Sequence, residues 1–105
     1  MLKRTYEGQD CPIASALEIV GERWTLLIVR DVLAGLCRFD QLQASLGIAR
    51  NVLADRLNRL VEEGILERVP YSKRPPRHEY RLTEKGRELE PALTALRRWS
   101  DQFVA

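Results

Sequence analysis

Cysteine is scarce in this chain, histidine scarcer, and long hydrophobic runs are missing. Cys11, Cys37 and His78 are its only thiols and its only imidazole. The two cysteines stand far apart in sequence, which is no zinc-ligand spacing, so no metal site is expected. No apolar run approaches the ~20 residues needed to span a bilayer. Met1 to Tyr6 has charges but no apolar stretch behind them, so it does not read as a secretory signal. Cytoplasmic residence, with no membrane partner, is the expectation, and there a structural disulfide is not expected. No glycine-rich phosphate loop follows a strand, and no Ser/His/Asp set is displayed. Neither an enzyme nor a cofactor is therefore expected.

What is present suits a small folded protein. The chain is 45% hydrophobic and 30% charged over 105 residues, which excludes disorder and bounds it to one domain over residues 1–105. Net charge is only +2, and its distribution says more than its size. Residues 68–81 carry Arg68, Lys73, Arg74, Arg77 and Arg81 against one acid, Glu79. That segment is +4 and the rest of the chain −2, an asymmetry expected of a phosphate-binding face.

Periodicity and punctuation divide the chain into elements. Residues 1–9 read as a flexible or arm-like lead. A helix begins near Asp10-Cys11-Pro12, because proline suits a first turn, and runs to Gly21. Trp24 to Leu33 is apolar over most of its circumference, predicting a buried helix that Gly35 ends. Phe39 to Leu46 predicts a short helix broken by Gly47. Arg50 to Glu63 predicts another, with Leu53, Leu57, Leu60 and Val61 as its apolar stripe and Gly64 as its stop. Ile65 to Val69 reads as a strand, Tyr71 to Arg77 as a cation-loaded turn, and His78 to Leu82 as the returning strand. Thr83 is a candidate N-cap for a further helix. Pro91 must end a short helix or begin a longer one, after which Leu93, Leu96, Trp99 and Phe103 form a stripe.

The resulting fold class is mainly α with a small β-hairpin: a winged helix-turn-helix (39–63, with the wing at 65–82) and extra terminal helices, 84–103 being the C-terminal ones. Such a unit offers one helix to the DNA major groove and a charged loop to a neighbouring backbone. On the Arg50–Glu63 helix, Arg50 and Asn51 suit base edges, since each makes two bonds to guanine or adenine respectively. Asp55 either accepts from cytosine or orients a neighbouring arginine. Arg56 and Arg59 suit phosphates, with an intrahelical Arg59–Glu63 pair as the competing reading. Arg38 is a further backbone candidate. Lys73, Arg74 and Arg77 are the wing's electrostatic contacts, and Arg74 is the one suited to a narrow minor groove. His78 is a strand residue beside them. The stripe of Leu93, Leu96, Trp99 and Phe103 would leave an exposed apolar patch on a monomer, unless the helix folds back on its own core, which is the competing reading. A homodimer on a palindromic site of double-stranded DNA is expected.

Several uncommon strings also stand here in fixed order. They are Cys11-Pro12, Gly21-Glu22-Arg23-Trp24-Thr25-Leu26-Leu27-Ile28, Gly35, Arg38-Phe39-Asp40-Gln41-Leu42 and Val52-Leu53-Ala54-Asp55-Arg56-Leu57. Pro75-Pro76-Arg77-His78-Glu79-Tyr80-Arg81-Leu82-Thr83, Gly86, Pro91 and Trp99 complete the set. In these the chain resembles the HxlR-type winged helix-turn-helix regulators of the MarR-like group, from Cys11 to Phe103. The resemblance implies a cytoplasmic homodimer that represses or activates a nearby gene, its terminal helices forming the dimer contact. One departure is Ala49, where many relatives have serine; alanine cannot cap the following helix. Several relatives sense electrophiles or oxidants with the cysteine at the position of Cys11. Redox sensing by Cys11 is thus one reading and a small packing residue the other. A helix N-terminus favours a thiolate there while Asp10 opposes it. Cys37 is a candidate resolving partner. A small-molecule or electrophile effector between the terminal helices and the winged unit stays open. So does a protein-interaction module that has lost DNA binding; the basic wing and Arg50, Arg56 and Arg59 speak against it, while Ala49, Asp55, Glu62 and Glu63 speak for it.

Overall fold

In the computed structural model the described residues are Gly8 and 10–104. Along them run α1 (Pro12–Val20), α2 (Thr25–Leu33), α3 (Phe39–Leu46), α4 (Arg50–Glu62), β1 (Leu66–Lys73), β2 (Pro76–Leu82), α5 (Glu84–Arg87) and α6 (Glu90–Phe103). The strands form one antiparallel pair. The arm-like lead expected over residues 1–9 falls, Gly8 apart, outside the described residues.

Local chemistry sets most boundaries where the sequence places them. Pro12 opens α1, and Cys11 Sγ accepts the amide N–H of Ala14 at 3.3 Å. Gly47, at φ +66°, closes α3 in the left-handed conformation that glycine adopts without steric cost. The hydroxyl of Thr83 accepts the amide N–H of Gly86 at 3.1 Å. Pro91 lies in the first turn of α6, so it begins the longer helix. Trp24 departs from expectation: it precedes α2 instead of opening it. Its φ of +80° is left-handed, a conformation that costs a bulky residue roughly 1–3 kcal/mol. Ala49 gives α4 no side-chain cap.

The core lies where α2, α3, α4 and the base of the hairpin meet. Ile28, Val29, Leu42, Leu53, Leu57, Leu60, Ile65 and Leu66 are all but inaccessible to solvent. The leucine stripe of α4 is buried as its spacing predicts. For α2 the expectation of a buried helix needs correcting. Leu27 is 39% exposed and Arg30 points outward, because α2 packs on α3, β2 and α6 but leaves one side open.

The hairpin is also tighter than expected. The strands run through Lys73 and resume at Pro76, leaving only Arg74 and Pro75 between them, where a seven-residue turn from Tyr71 to Arg77 was expected. The ladder continues through Ser72–Arg77 and Lys73–Pro76, past a register shift between Pro70 and Ser72 that leaves Tyr71 unpaired. In a two-stranded sheet every strand is an edge, so Pro70 can stay in β1 without costing a central ladder bond.

Candidate nucleic-acid interface

The geometry of α4 follows from its buried stripe. With Leu53, Leu57 and Leu60 turned inward, helical spacing turns Asn51, Asp55, Asn58 and Glu62 outward, and all four are exposed. Arg50 stands at the first turn with its guanidinium 4.6 Å from the centre of the Phe39 ring. That contact braces a long side chain that would otherwise lose rotamer freedom on docking. The first turns of α4 thus present an arginine, an asparagine and an aspartate on one open surface.

Arg56 and Arg59 lie to the side, toward α1 and the start of α2. Arg56 donates from Nε to the carbonyl oxygen of Arg23 at 3.2 Å and pairs with Glu22, also at 3.2 Å, and with Asp55 at 2.7 Å. Its side chain is 23% exposed. Asp55 thus pairs with a neighbouring arginine, the contact that the second of its two expected roles requires. Arg59 pairs with Glu63 at 3.3 Å and donates to the carbonyl oxygen of Glu18 at 3.4 Å. The intrahelical pair anticipated for Arg59 is formed, so both cations have partners within the fold.

The wing carries its charge differently. Lys73, Arg74 and Arg77 are exposed at its tip and pair with no acid among the described residues. His78 is exposed on β2. Nearer the base, Arg38 lies over the Tyr71 ring at 4.3 Å and 3.8 Å from Glu79. Glu79 also pairs with Arg81 at 3.4 Å. The amide N–H of Tyr80 donates to the carbonyl oxygen of Cys37 at 2.7 Å, which fastens β2 to the residue just before Arg38. At that same junction Gln41 Oε1 accepts the amide N–H groups of Cys37 and Arg38, at 3.2 and 3.1 Å.

Sequence reasoning assigned no contact to three further participants, although it counted Arg68 in the basic segment. Arg68 donates to Asn58 Oδ1 on α4, with its guanidinium 5.8 Å from the Tyr80 ring. It follows buried Leu66 by two residues, so period-2 alternation turns it to the face that packs on α4, a signal that was readable. Phe39 and Tyr71 serve as platforms for arginines; the bulge that presents Tyr71 had no sequence signature.

A second surface is apolar. Every residue of α6 is at least partly exposed. Leu93 is half-buried against the core, whereas Leu96, Trp99 and Phe103 are 52%, 59% and 66% exposed. Trp99 and Phe103 lean together with ring centres 6.0 Å apart. Ile13 and Leu17 of α1 line the other side of a groove of about 760 Å³ that α6 closes with Leu96 and Trp99. Cys11, at the start of α1, is an exposed free thiol, and Cys37 is a half-buried one. No group of three or more potential metal ligands occurs among the described residues, and no helix there is long and apolar enough to cross a membrane.

Comparison with known proteins places this geometry. The profile of the HxlR-like helix-turn-helix family matches residues 19–105. The chain is 52% identical over 103 residues to an uncharacterised HTH-type transcriptional regulator of Mycobacterium tuberculosis, Rv3095, an alignment taking in 98% of this chain and 64% of that protein. It thus spans just under two thirds of that relative's length. The crystal structure of PA1607, a candidate transcription factor, is 45% identical and superposes with a TM-score of 0.86 over 95% of this chain and 70% of that one. The transcriptional regulator YodB of Bacillus subtilis in its reduced form is 34% identical, with a TM-score of 0.76 over 91% of this chain and 96% of that one. Its diamide-treated form is 33% identical, with a TM-score of 0.72 over 92% and 98%.

Proposed function

Since the chain belongs to the HxlR-like helix-turn-helix family, we propose that it is a sequence-specific, DNA-binding transcriptional regulator. The observation that carries this reading is the pairing of an open α4 surface with a wing tip whose three cations have no acidic partner among the described residues. The first turns of α4 enter the major groove, Arg50 and Asn51 meet base edges, and Asp55 holds Arg56. Lys73, Arg74 and Arg77 meet phosphates. Arg56 and Arg59, already paired within the fold, contribute less to affinity than their charge suggests. On this reading the described residues form one DNA-binding domain, acting in the cytoplasm as a regulator and not as an enzyme.

The working form is a homodimer. Leu96, Trp99 and Phe103 pack with Ile13 and Leu17 against a second copy, which removes an apolar face that a monomer would leave in water. Two-fold pairing sets two reading helices about one DNA turn (roughly 34 Å) apart on a palindromic operator. Cys11 stands exposed on the helix that lines this face, so its oxidation is placed to alter the dimer. A relative whose structures include reduced and diamide-treated forms supports that input.

Fluorescence anisotropy on the DNA upstream of its own gene, across a salt series, tests the reading. Tight, salt-steep binding that a scrambled duplex does not share is expected. Absence of selective binding at low salt, on this and other genomic fragments, refutes it and favours a winged-helix protein-interaction module.

A further inference from the structure

We infer that Glu79 is a positioning residue for DNA discrimination: it holds Arg38 against Tyr71 and withholds that arginine's charge from phosphate. This rests on the DNA-binding reading above and goes beyond it. Glu79 is the single acid within the basic stretch 68–81, and its side chain is only 18% exposed. One carboxylate oxygen lies 3.8 Å from an Arg38 guanidinium nitrogen and the other 3.4 Å from one of Arg81. The acid therefore has two cations to hold, while Lys73, Arg74 and Arg77 at the wing tip pair with no acid among the described residues.

The placement is built, because three features converge on it. The bond from Tyr80 N–H to the Cys37 carbonyl oxygen, 2.7 Å long, fixes the residues on either side, Glu79 and Arg38. The unpaired register position puts Tyr71 under the Arg38 guanidinium at 4.3 Å, the kind of re-aiming that bulges produce. Phe39, the residue after Arg38, carries the guanidinium of Arg50 from the first turn of α4. Arg38 thus stands between the reading helix and the wing, where a DNA backbone would pass.

Attraction to phosphate is blind to sequence, and each neutralised phosphate adds roughly 0.9 to the slope of log K against log salt. An arginine free at this point strengthens binding to every duplex alike. One held by Glu79 lowers that common term, so base contacts decide a larger share of the affinity.

The test is anisotropy with the full chain on its upstream DNA and on a scrambled duplex, from 50 to 200 mM salt. Glu79→Gln is expected to bind the scrambled duplex more tightly than wild type does, narrowing discrimination. Its slope should steepen by about 1, so its advantage shrinks roughly 3- to 4-fold across that salt range. Glu79→Ser removes the same charge with less bulk and should act likewise, so misfolding of one variant leaves the other to decide. Adding Arg38→Gln to Glu79→Gln should return the slope to the wild-type value, whereas adding Arg81→Gln, which removes the other cation that Glu79 holds, should not. If Glu79→Gln weakens binding to both duplexes, or leaves the slope unchanged, Glu79 serves only to fasten the wing and the inference is overturned. A wild-type protein that binds neither duplex overturns the DNA-binding reading, and this inference with it.

Discussion

Gly86 lies in the middle of α5, a short helix in which replacing glycine by alanine would ordinarily stabilise by up to ~1 kcal/mol through helix propensity. Packing reverses that sign. A Cβ at Gly86 would stand 2.3 Å from the carbonyl oxygen of Ile65 and 2.8 Å from Leu82 Cδ2. The leucine tip can turn aside, but the carbonyl is backbone. It belongs to a residue that also accepts the Thr83 amide at 3.0 Å. To make room, α5 must lift off the base of the hairpin, weakening the junction at which Thr83 bonds to Gly64 and Gly86. Overpacking costs roughly 1–3 kcal/mol, and a 2.3 Å approach to backbone belongs in the upper part of that range, about 2–3 kcal/mol. After the propensity gain, Gly86→Ala should therefore destabilise by about 1–2 kcal/mol. For a domain of this size that lowers Tm by roughly 5–15 °C. Thermal denaturation by circular dichroism at one fixed protein concentration measures it, because the proposed dimer would make Tm depend on concentration. Glu88→Ala, at an exposed position just after α5, is the control and should shift Tm little. An unchanged or raised Tm for Gly86→Ala would show that α5 is not seated on the hairpin as described.

Three further outcomes are expected. Ala49→Ser supplies the missing oxygen at a residue whose backbone is already extended, φ −63° and ψ 146°, and should stabilise by about 1 kcal/mol in urea titrations; no gain would mean the α4 terminus is satisfied in another way. Trp99→Asp puts a charge into the apolar face and should halve the mass measured by light scattering at micromolar concentration while the helical spectrum persists; an unchanged mass would move the interface off α6. Cys11→Ser keeps a capping acceptor for the Ala14 amide and should leave Tm level or slightly higher, yet abolish any loss of DNA binding caused by diamide; a diamide response that persists would assign the input to Cys37.

Much of the fold was readable because its signals are local. The leucine stripe on α4, the glycine after α3 and the threonine before α5 each act within a turn or two of chain. What sequence hid was long-range. Whether Pro70 stays in a strand depends on a partner strand that tolerates a slipped register, and no window around Pro70 contains that partner. The interface shows the same divide. Arginines are easy to mark from composition, but their availability is decided by carboxylates and carbonyls from other elements. Arg56 is held by Glu22 and by the backbone of Arg23, and Arg38 by Glu79, each partner more than thirty residues away in the chain. Counting charge over residues 68–81 therefore located the basic surface but misjudged its composition. It included Arg68 and Arg81, which the fold engages with Asn58 and Glu79, and it left out Arg50, which sits on Phe39 and pairs with no acid among the described residues. A surface that binds phosphate is defined by which cations remain without a partner, and only the tertiary fold decides that.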